Sequence, residues 1–280
     1  MTGAGQPVAN AVDKSGHGYH AVETVSGANT PTLARHPASG LRQNLNGTSD
    51  LSGFAFGGSG SGANTIEANA TIAPDGTWTA ARLTFSAENQ IFSQPLDLPS
   101  GTYVGSMWVK GVSGETLRCR LSGGGEFTHM FNGDWQQISG AVSGDVLTSY
   151  NISTWAGATA RVVDVWRPQH EAGTIVTPYQ QRDNQYDIIE AGQRDLWYFS
   201  FDQIAGGLGV TLPDLGSDVT EFWANEAGIT IIRGQTIGAG HRELPGSTRL
   251  YAYGIIDRGL SEPETASLTK FLEVKSKASA

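Results

Sequence analysis

The sequence predicts an all-β protein: a jelly-roll β-sandwich followed by a smaller β lobe that ends in one α-helix. Three observations predict this class. Glycine is abundant, at 37 of 280 residues, which suits many strands joined by tight turns. Apolar and polar residues alternate along several stretches, with turn signals about every ten residues. A helical pattern occurs only near the C-terminal end.

Residues 36–182 carry the sandwich pattern. Within 103–110, Met107 and Val109 alternate with Trp108, so the two sets point to opposite faces of a strand. The turn signals between the predicted strands are Asn46-Gly47, Pro74–Gly76 and Asn132-Gly133. Short strands at this spacing, without a helical pattern, predict a β-sandwich or a jelly roll.

Residues 183–280 have a different pattern, with fewer strands and the one predicted helix. The stretch 195–202 is a strong strand pattern. Ser261 with Glu264 three residues later forms a capping box, and Pro263 suits the first helical turn. The predicted apolar stripe of this helix consists of Leu268, Phe271 and Leu272.

Residues 1–35 are poor in apolar side chains, and so short a segment cannot bury a core of its own. It is therefore predicted to be an anchor or a completing segment of the C-terminal lobe. In the second alternative, residues 1–35 and 183–280 form one discontinuous lobe into which the sandwich of residues 36–182 is inserted.

The charge and the cysteine content exclude several classes of function. The formal net charge is −9, and nucleic acid is not expected as a partner because phosphate binding needs a basic surface. Cys119 is the only cysteine, which excludes an intrachain disulfide and a Cys-based zinc site. Its position in an alternating stretch predicts a buried side chain. We find no signal-peptide pattern and no apolar run of about 20 residues, so no membrane partner is expected.

The residue pattern gives little support for catalysis. A glycosidase needs two carboxyl groups roughly 5–10 Å apart, and the candidate pairs are Asp164 with Glu171 and Glu221 with Glu226. No pair is marked by an aromatic cleft, and neither a nucleophile elbow nor zinc-ligand spacing of histidines occurs. We therefore predict no catalytic residues, no cofactor, no metal site and no enzymatic activity.

The segment 166–179 resembles a known family. The matching residues are Trp166, Gln169, Glu171, Gly173, Thr177, Pro178 and Tyr179. They resemble the end of carbohydrate-binding-module-like jelly rolls in structural proteins of tailed bacteriophages. The stretches 186–202 and 250–272 resemble pieces of a concanavalin A-like, lectin-like module that often follows this jelly roll. The stretch 12–33 resembles a piece that precedes the core of that module.

The resemblance implies a non-enzymatic, oligomeric surface protein that engages bacterial cell-surface glycans. Members of the family occur in tail fibres, head decorations and the head spikes of phage-like gene transfer agents. The implied partners are a bacterial surface glycan such as capsule polysaccharide, other particle proteins at a capsid vertex or tail, and further copies of the chain as a trimer or pentamer. The implied location is the surface of a virion or phage-like particle, assembled in the bacterial cytoplasm. The open alternatives are a purely structural base or adaptor protein and a glycan-degrading spike enzyme.

Aromatic residues in predicted loops are candidate carbohydrate contacts, because sugars place their C–H faces on exposed rings. Trp78 follows the predicted turn at 74–76, and Trp155 lies in a loop-like stretch beside Tyr150 and Asn151. These four residues are the predicted carbohydrate-binding residues. The tryptophans within or beside strand patterns are predicted to pack in the core: Trp108, Trp135, Trp166 and Trp197.

Gln169 and Glu171 follow a tryptophan and raise the question of a catalytic carboxylate beside an aromatic ring. We predict instead that both side chains form hydrogen bonds with backbone groups near the end of the last sandwich strand. Residues 177–179 are predicted to fix the chain at the point where it exits the sandwich. Related sugar-binding jelly rolls often hold a structural calcium ion, a cation that prefers carboxylate and carbonyl oxygens. A calcium ion near Asp50 and Glu171 therefore stays an open alternative.

Overall fold

The computed structural model describes residues 3–24, 30–38, 43–47, 49–58, 63–121, 126–154, 160–201 and 207–276, except for the side chains of 142–150. The chain divides into two compact units. The central unit is Leu41–Ala191, and the split unit combines Met1–Gly40 with Gly192–Ala280.

Nineteen strands and one helix are defined within the described residues. In chain order they are β1 (Asn10–Ala11), β2 (Ala21–Glu23), β3 (Thr32–Pro37), β4 (Ala55–Gly58), β5 (Thr65–Thr71), β6 (Ala80–Phe85), β7 (Gln90–Lys110), β8 (Thr116–Arg120), β9 (Phe127–Met130), β10 (Gln136–Ser153), β11 (Arg161–Ala172), β12 (Gln180–Asn184), β13 (Asp187–Glu190), β14 (Asp195–Ser200), β15 (Leu208–Leu212), β16 (Gly216–Asn225), β17 (Gly228–Ile237), β18 (Gly240–Glu243), β19 (Arg249–Ile256) and α1 (Glu262–Ser276).

The central unit is built on two long antiparallel strands, β7 and β10. The strand order is β5-β6-β11-β7-β10-β8-β9, and β4 also pairs with β7. Pairing of β7 with β10 runs from Val109 opposite Gln136 to Ile91 opposite Ser153, with register shifts between Ser143 and Ser149. Such irregularities bend and twist a strand pair, so the two strands contribute to both layers of a sandwich.

The core of the central unit confirms the sandwich. Phe92 from the first half of β7 and Met107 from its second half belong to the same buried cluster. Both halves of one strand therefore contribute side chains to the same core. Cys119 is fully buried in this cluster, as predicted, and burial raises the pKa of its thiol to about 12.

The split unit pairs N-terminal with C-terminal strands. β3 lies antiparallel to β14, with Leu33 opposite Phe199. The order β3-β14-β19-β16-β17 continues the same sheet, and β1-β2-β15-β18 form a second sheet. Residues 3–24 and 30–38 are therefore part of the fold of this unit. An anchoring role for residues 1–35 stays a prediction.

Helix α1 begins at the predicted Ser261–Glu264 pair, which forms the carboxylate half of a capping box. The backbone N–H of Ser261 donates to Glu264 Oε2 over 2.9 Å, and its hydroxyl donates to the same oxygen over 2.7 Å. Hydrogen bonds from Arg258 and Ser261 lower the pKa of the Glu264 carboxyl to about 2. The predicted apolar stripe is wrong in one member: Leu272 is buried, but Phe271 is 54% exposed. Consecutive helical residues point about 100° apart, so one side contacting the sheet buries only one of the two.

Replacing Ser261 by alanine should lower the free energy of unfolding of the split unit by about 1 kcal/mol. The substitution removes the hydroxyl that donates to Glu264 Oε2 and so helps to hold this carboxylate on the backbone N–H of residue 261. The matched control is Ser267→Ala on the same helix, where the hydroxyl donates to the Pro263 carbonyl and caps nothing. Urea unfolding of both variants measures the difference, and equal effects would contradict a stabilising cap.

The predicted all-β class is confirmed, with a jelly-roll sandwich, a smaller β unit and one C-terminal helix. Within the described part of the chain, no helix has the length and apolar character needed to cross a membrane.

Candidate functional site

Tryptophans form a second cluster in the central unit, on the sheet face opposite the core. Trp108 on β7 lies directly opposite Trp166 on β11, while their neighbours Val109 and Val165 point into the core. Trp166 packs with Ala73 and Ala80 and with the partly buried Trp108 and Trp135. Trp166 is therefore buried as predicted, and Trp108 and Trp135 pack against it, although in this second cluster and not in the main core. The prediction is wrong for Trp197 in the split unit, which is 42% exposed.

A β-bulge after Trp166 places an arginine over this cluster. The pairing of β11 with β7 shifts between Trp166 and Gln169, and Arg167 has a φ of 49°. Its guanidinium carbon lies 3.8 Å from the ring centre of Trp166 and 4.9 Å from that of Tyr179. Arg167 Nη2 also donates to Asp75 Oδ2 over 3.1 Å. The guanidinium thus contacts two aromatic faces and one carboxylate.

Two buried asparagines hold the bulge in place. Asn44 and Asn46 are both fully buried. Asn46 Nδ2 donates to the Pro168 carbonyl over 2.9 Å, and the backbone N–H of His170 donates to Asn44 Oδ1 over 3.2 Å. A non-glycine residue in the left-handed region persists only where the surrounding structure determines its conformation, and these contacts do so around Arg167.

The bulge at Arg167 forms one wall of the candidate site, and the turn that carries Asp75 forms the other. The backbone N–H and the hydroxyl of Thr77 donate to Asp75 Oδ1 over 3.0 and 2.6 Å. These bonds and the charge of Arg167 lower the pKa of the Asp75 carboxyl. The hydroxyls of Thr77 and Thr79 are 2.7 Å apart, and Trp166 Nε1 donates to Thr79 Oγ1 over 3.0 Å.

Between these walls lies a groove of about 450 Å³, called here the arginine groove. It is lined by Ser49, Asp50, Leu51, Ala68, Asn69, Asp75, Thr77, Thr79, Ala81, Val165, Trp166, Arg167, Pro168, Tyr179, Gln181 and Asp183. Four non-glycine residues in the described part of the chain have a positive φ, and two of them, Asn69 and Arg167, line this groove. Backbone strain concentrated in this way is typical of ligand-binding sites.

The predicted carbohydrate-binding residues lie in different places. Trp78 is 61% exposed and sits in the chain between two residues that line the arginine groove. Asn151 lies on β10, opposite Ser93 of β7 and Arg120 of β8, and does not line the groove. The backbone of Tyr150 pairs with β7, but its side chain and all of Trp155 lie outside the described residues. Trp78 is therefore next in the chain to the groove without lining it, and the carbohydrate-binding role of all four residues stays a prediction.

Sequence reasoning missed Arg167 and Asp75 as functional candidates. Asp75 was visible only as part of a turn signal, and Arg167 only as a residue next to the family motif. The two residues are 92 positions apart, and no local pattern indicates that they meet.

The carboxylate and amide after Trp166 have the predicted structural role. The backbone N–H of Thr177 donates to Glu171 Oε2 over 3.0 Å, and its hydroxyl donates to Oε1. Gln169 accepts from the backbone N–H of Gln180 over 2.7 Å and donates to the Thr177 carbonyl over 3.2 Å. These hydrogen bonds connect the end of β11 to the segment that follows it, residues 177–180.

The other carboxylates considered for catalysis also bind protein groups. Asp164 accepts two hydrogen bonds from the Arg82 guanidinium, at 2.8 and 3.1 Å. Glu221 accepts from Arg242 and from the Tyr253 hydroxyl, each over 2.9 Å. Glu226 accepts from the backbone N–H groups of residues 248 and 249. Within the described residues, no group of three or more His, Cys, Asp or Glu side chains is arranged to hold a metal ion.

The split unit holds a larger cavity of about 810 Å³. Its walls are mainly aliphatic and aromatic, including Phe199, Leu212, Phe222, Leu250 and Ile256. A sugar needs many hydrogen-bonding groups to replace its bound water. The arginine groove, with its carboxylates, amides, hydroxyls and guanidinium, suits that requirement better.

Comparisons with known proteins give distant likenesses only. No family model matches the sequence, and no curated protein matches it. A solved CBM61 module in complex with β-1,4-galactotriose is 18% identical, covering 47% of this chain and 99% of that one, with a TM-score of 0.32. A tandem CBM22 domain of Paenibacillus barcinonensis Xyn10C is 13% identical, covering 86% and 96%, with a TM-score of 0.31. The enzymatically active domain of tailspike protein 4 of bacteriophage CBA120 is 13% identical, covering 45% and 21%, with a TM-score of 0.32. Likeness at this level carries no argument about what the chain binds.

Proposed function

We propose that the central unit binds a carbohydrate in the arginine groove, with Trp78 beside it as an aromatic contact. The observation that carries this proposal is the conformation of Arg167. Its left-handed backbone costs about 1–3 kcal/mol relative to an ordinary conformation. In return, its guanidinium is held in one place by Trp166, Tyr179 and Asp75. A donor held in one position is what recognition of a sugar hydroxyl requires.

The chemistry of the groove supports a sugar ligand. Arg167 donates hydrogen bonds, the carboxylates of Asp75 and Asp183 accept them, and the Asn69 amide does both. A sugar hydroxyl also donates and accepts, so such a set can serve neighbouring hydroxyls on one ring. The exposed indole of Trp78 offers an apolar surface for the C–H face of a sugar.

The wider proposal is a structural fibre or spike protein on a phage or phage-like particle, such as a gene transfer agent head spike. Such a protein would bind host surface polysaccharide and promote adsorption. Support comes from the sequence resemblance at 166–179. A single sugar site is weak, with a dissociation constant of roughly a millimolar. A trimer or pentamer, present in many copies on a particle, would raise the avidity by orders of magnitude. A non-enzymatic role is supported by the protein partners of Asp164, Glu171, Glu221 and Glu226.

The test is incubation of the purified chain with surface polysaccharide fractions from bacteria. Retention of polysaccharide without release of fragments is the expected result. Release of oligosaccharides would favour the glycan-degrading alternative. If neither occurs and the chain is incorporated into particles, the structural base or adaptor alternative stands instead.

Replacing Trp78 by alanine should weaken retention of the polysaccharide about five- to tenfold, because an aromatic contact contributes about 1 kcal/mol. The free energy of unfolding should hardly change, since this indole is 61% exposed. The matched control is Trp197→Ala in the split unit, where the indole is 42% exposed. Affinity gel electrophoresis measures both variants, and equal weakening by the two substitutions would contradict a role for Trp78.

A further inference from the structure

The charges of the arginine groove suggest which glycans it accepts. Among its described lining residues, three carry carboxylates and one carries a positive charge. The carboxylates are Asp50, Asp75 and Asp183, and the cation is Arg167. Tyr179 is neutral near pH 7, and burial raises the pKa of its phenol further.

The one cation is already engaged within the protein. Arg167 Nη2 lies 3.1 Å from Asp75 Oδ2, and both side chains are only about one-third exposed, at 35% and 34%. The faces of Trp166 and Tyr179 flank the guanidinium. A glycan carboxylate that approached Arg167 would meet Asp75 as a competitor for the same charge. Arg167 can therefore donate to a hydroxyl more readily than it can neutralise an anion.

The two other carboxylates of the groove repel a negatively charged ligand. Asp183 is exposed at the groove, where its Oδ1 accepts a hydrogen bond from Gln181 Nε2 over 3.0 Å. Asp50 Oδ1 accepts from the backbone N–H of Ser52 over 3.0 Å. Hydrogen-bonded carboxylates of this kind still accept from sugar hydroxyls. They repel carboxylates, and like charges placed together at an interface strongly disfavour a partner.

We infer that the arginine groove recognises a neutral polysaccharide through its hydroxyl groups and rejects polyuronates. This inference rests on the proposed function, since it names the glycan class of the same groove. The ion pair of Arg167 with Asp75 acts as a net-neutral hydrogen-bonding unit, with donors on one residue and acceptors on the other.

Matched polysaccharides test the inference with the full chain. The probes are galacturonan, glucuronan and mannuronan, each compared with its carboxyl-reduced form of equal length. Reduction converts each uronate to the corresponding neutral sugar and leaves the linkages unchanged. For any pair that is bound, we expect the reduced form to bind at least about tenfold more tightly in affinity gel electrophoresis.

The substitution Asp75→Asn should change this preference. It keeps the size of the side chain but removes the charge that competes for Arg167. Affinity for the polyuronate should rise about tenfold relative to the neutral form, and the gain should fall with added salt. The matched control is Asp13→Asn in the split unit. This control changes the net charge by the same amount. Asp13 accepts a hydrogen bond from the backbone N–H of Ser15, as Asp75 does from that of Thr77. Asp183→Asn is a second variant, expected to shift the preference in the same direction.

The outcomes distinguish failure of this inference from failure of carbohydrate binding itself. Tighter binding of polyuronates than of their reduced forms by the unmodified chain would overturn the inference and leave carbohydrate binding intact. An unchanged preference in both Asp75→Asn and Asp183→Asn would overturn it as well. If only a bacterial surface fraction is bound, its carboxyl-reduced form is compared with it in the same way, and tighter binding of the unreduced acidic form would overturn the inference. No binding of any probe or fraction would overturn the proposed function, and the inference with it.

Discussion

Replacing Arg167 by glycine is expected to weaken polysaccharide binding at least about thirtyfold, while the free energy of unfolding changes by no more than about 1 kcal/mol. The loss of affinity follows from removing the guanidinium donor that Trp166, Tyr179 and Asp75 hold in place at the arginine groove. Stability changes little because opposite effects nearly cancel. Glycine adopts a φ of 49° without strain, but the stacking on Trp166 and Tyr179 and the ion pair with Asp75 are lost.

Two further variants make this result decisive. Arg167→Lys keeps the charge but loses the planar group that stacks on Trp166, so it should also bind weakly. Asn89→Gly removes a left-handed residue outside the groove, with a φ of 56°, and should leave binding unchanged. Calorimetric titration and urea unfolding measure both quantities. A loss of several kcal/mol in the stability of Arg167→Gly would show instead that Arg167 is a structural clamp.

Acidification from pH 6.5 to pH 4 is expected to lower the stability of the central unit by about 3 kcal/mol through His170 alone. The imidazole is fully buried, and burial lowers its pKa to about 4. An unfolded chain binds this proton near pH 6.5. Between the two pKa values the unfolded state therefore holds more protons than the folded state. Stability falls as the pH falls through this window, and His170 contributes nothing to the pH dependence above it.

The check is urea unfolding of the unmodified chain and of His170→Gln at several pH values between 7 and 4. The difference between the two proteins should shrink by about 3 kcal/mol across the window. His129, whose pKa is also lowered by desolvation, is present in both proteins and cancels. Asp13 and Glu264, whose pKa values are lowered to about 2, begin to lose their stabilising effect as the pH falls through the ordinary carboxyl range, but both are present in the two proteins and cancel as well. A parallel pH dependence in the two proteins would contradict the role of His170.

The local pattern predicted several features because their causes are local. Alternation along β7 placed Trp108 on one face and Met107 and Val109 on the other, and the structure has them so. Ser261 and Glu264 are three residues apart and form their cap within one helical turn. The alternation does not indicate which residues pack against each face of the sheet. Trp108 was predicted to pack in the core, and it packs, partly buried, in the second cluster on the opposite face of the sheet.

The candidate site could be predicted only in part for the same reason. The exposure of Trp78 was predicted because it follows a turn signal, and the side chain is 61% exposed. Arg167 was missed because its position depends on a bulge, and a bulge arises from the pairing of two strands. Its partners Asp75 and Tyr179 come from another loop and from the segment after β11.

The sequence by itself determined the all-β class, the capped C-terminal helix, the buried cysteine and the structural role of Glu171. Each of these depends on side-chain periodicity or on neighbours a few residues apart. Only the tertiary structure decided that β3 joins the C-terminal strands and that Arg167 meets Asp75 over a tryptophan cluster. Those contacts join residues far apart in the chain, and their geometry is set by strand register, which no local pattern records.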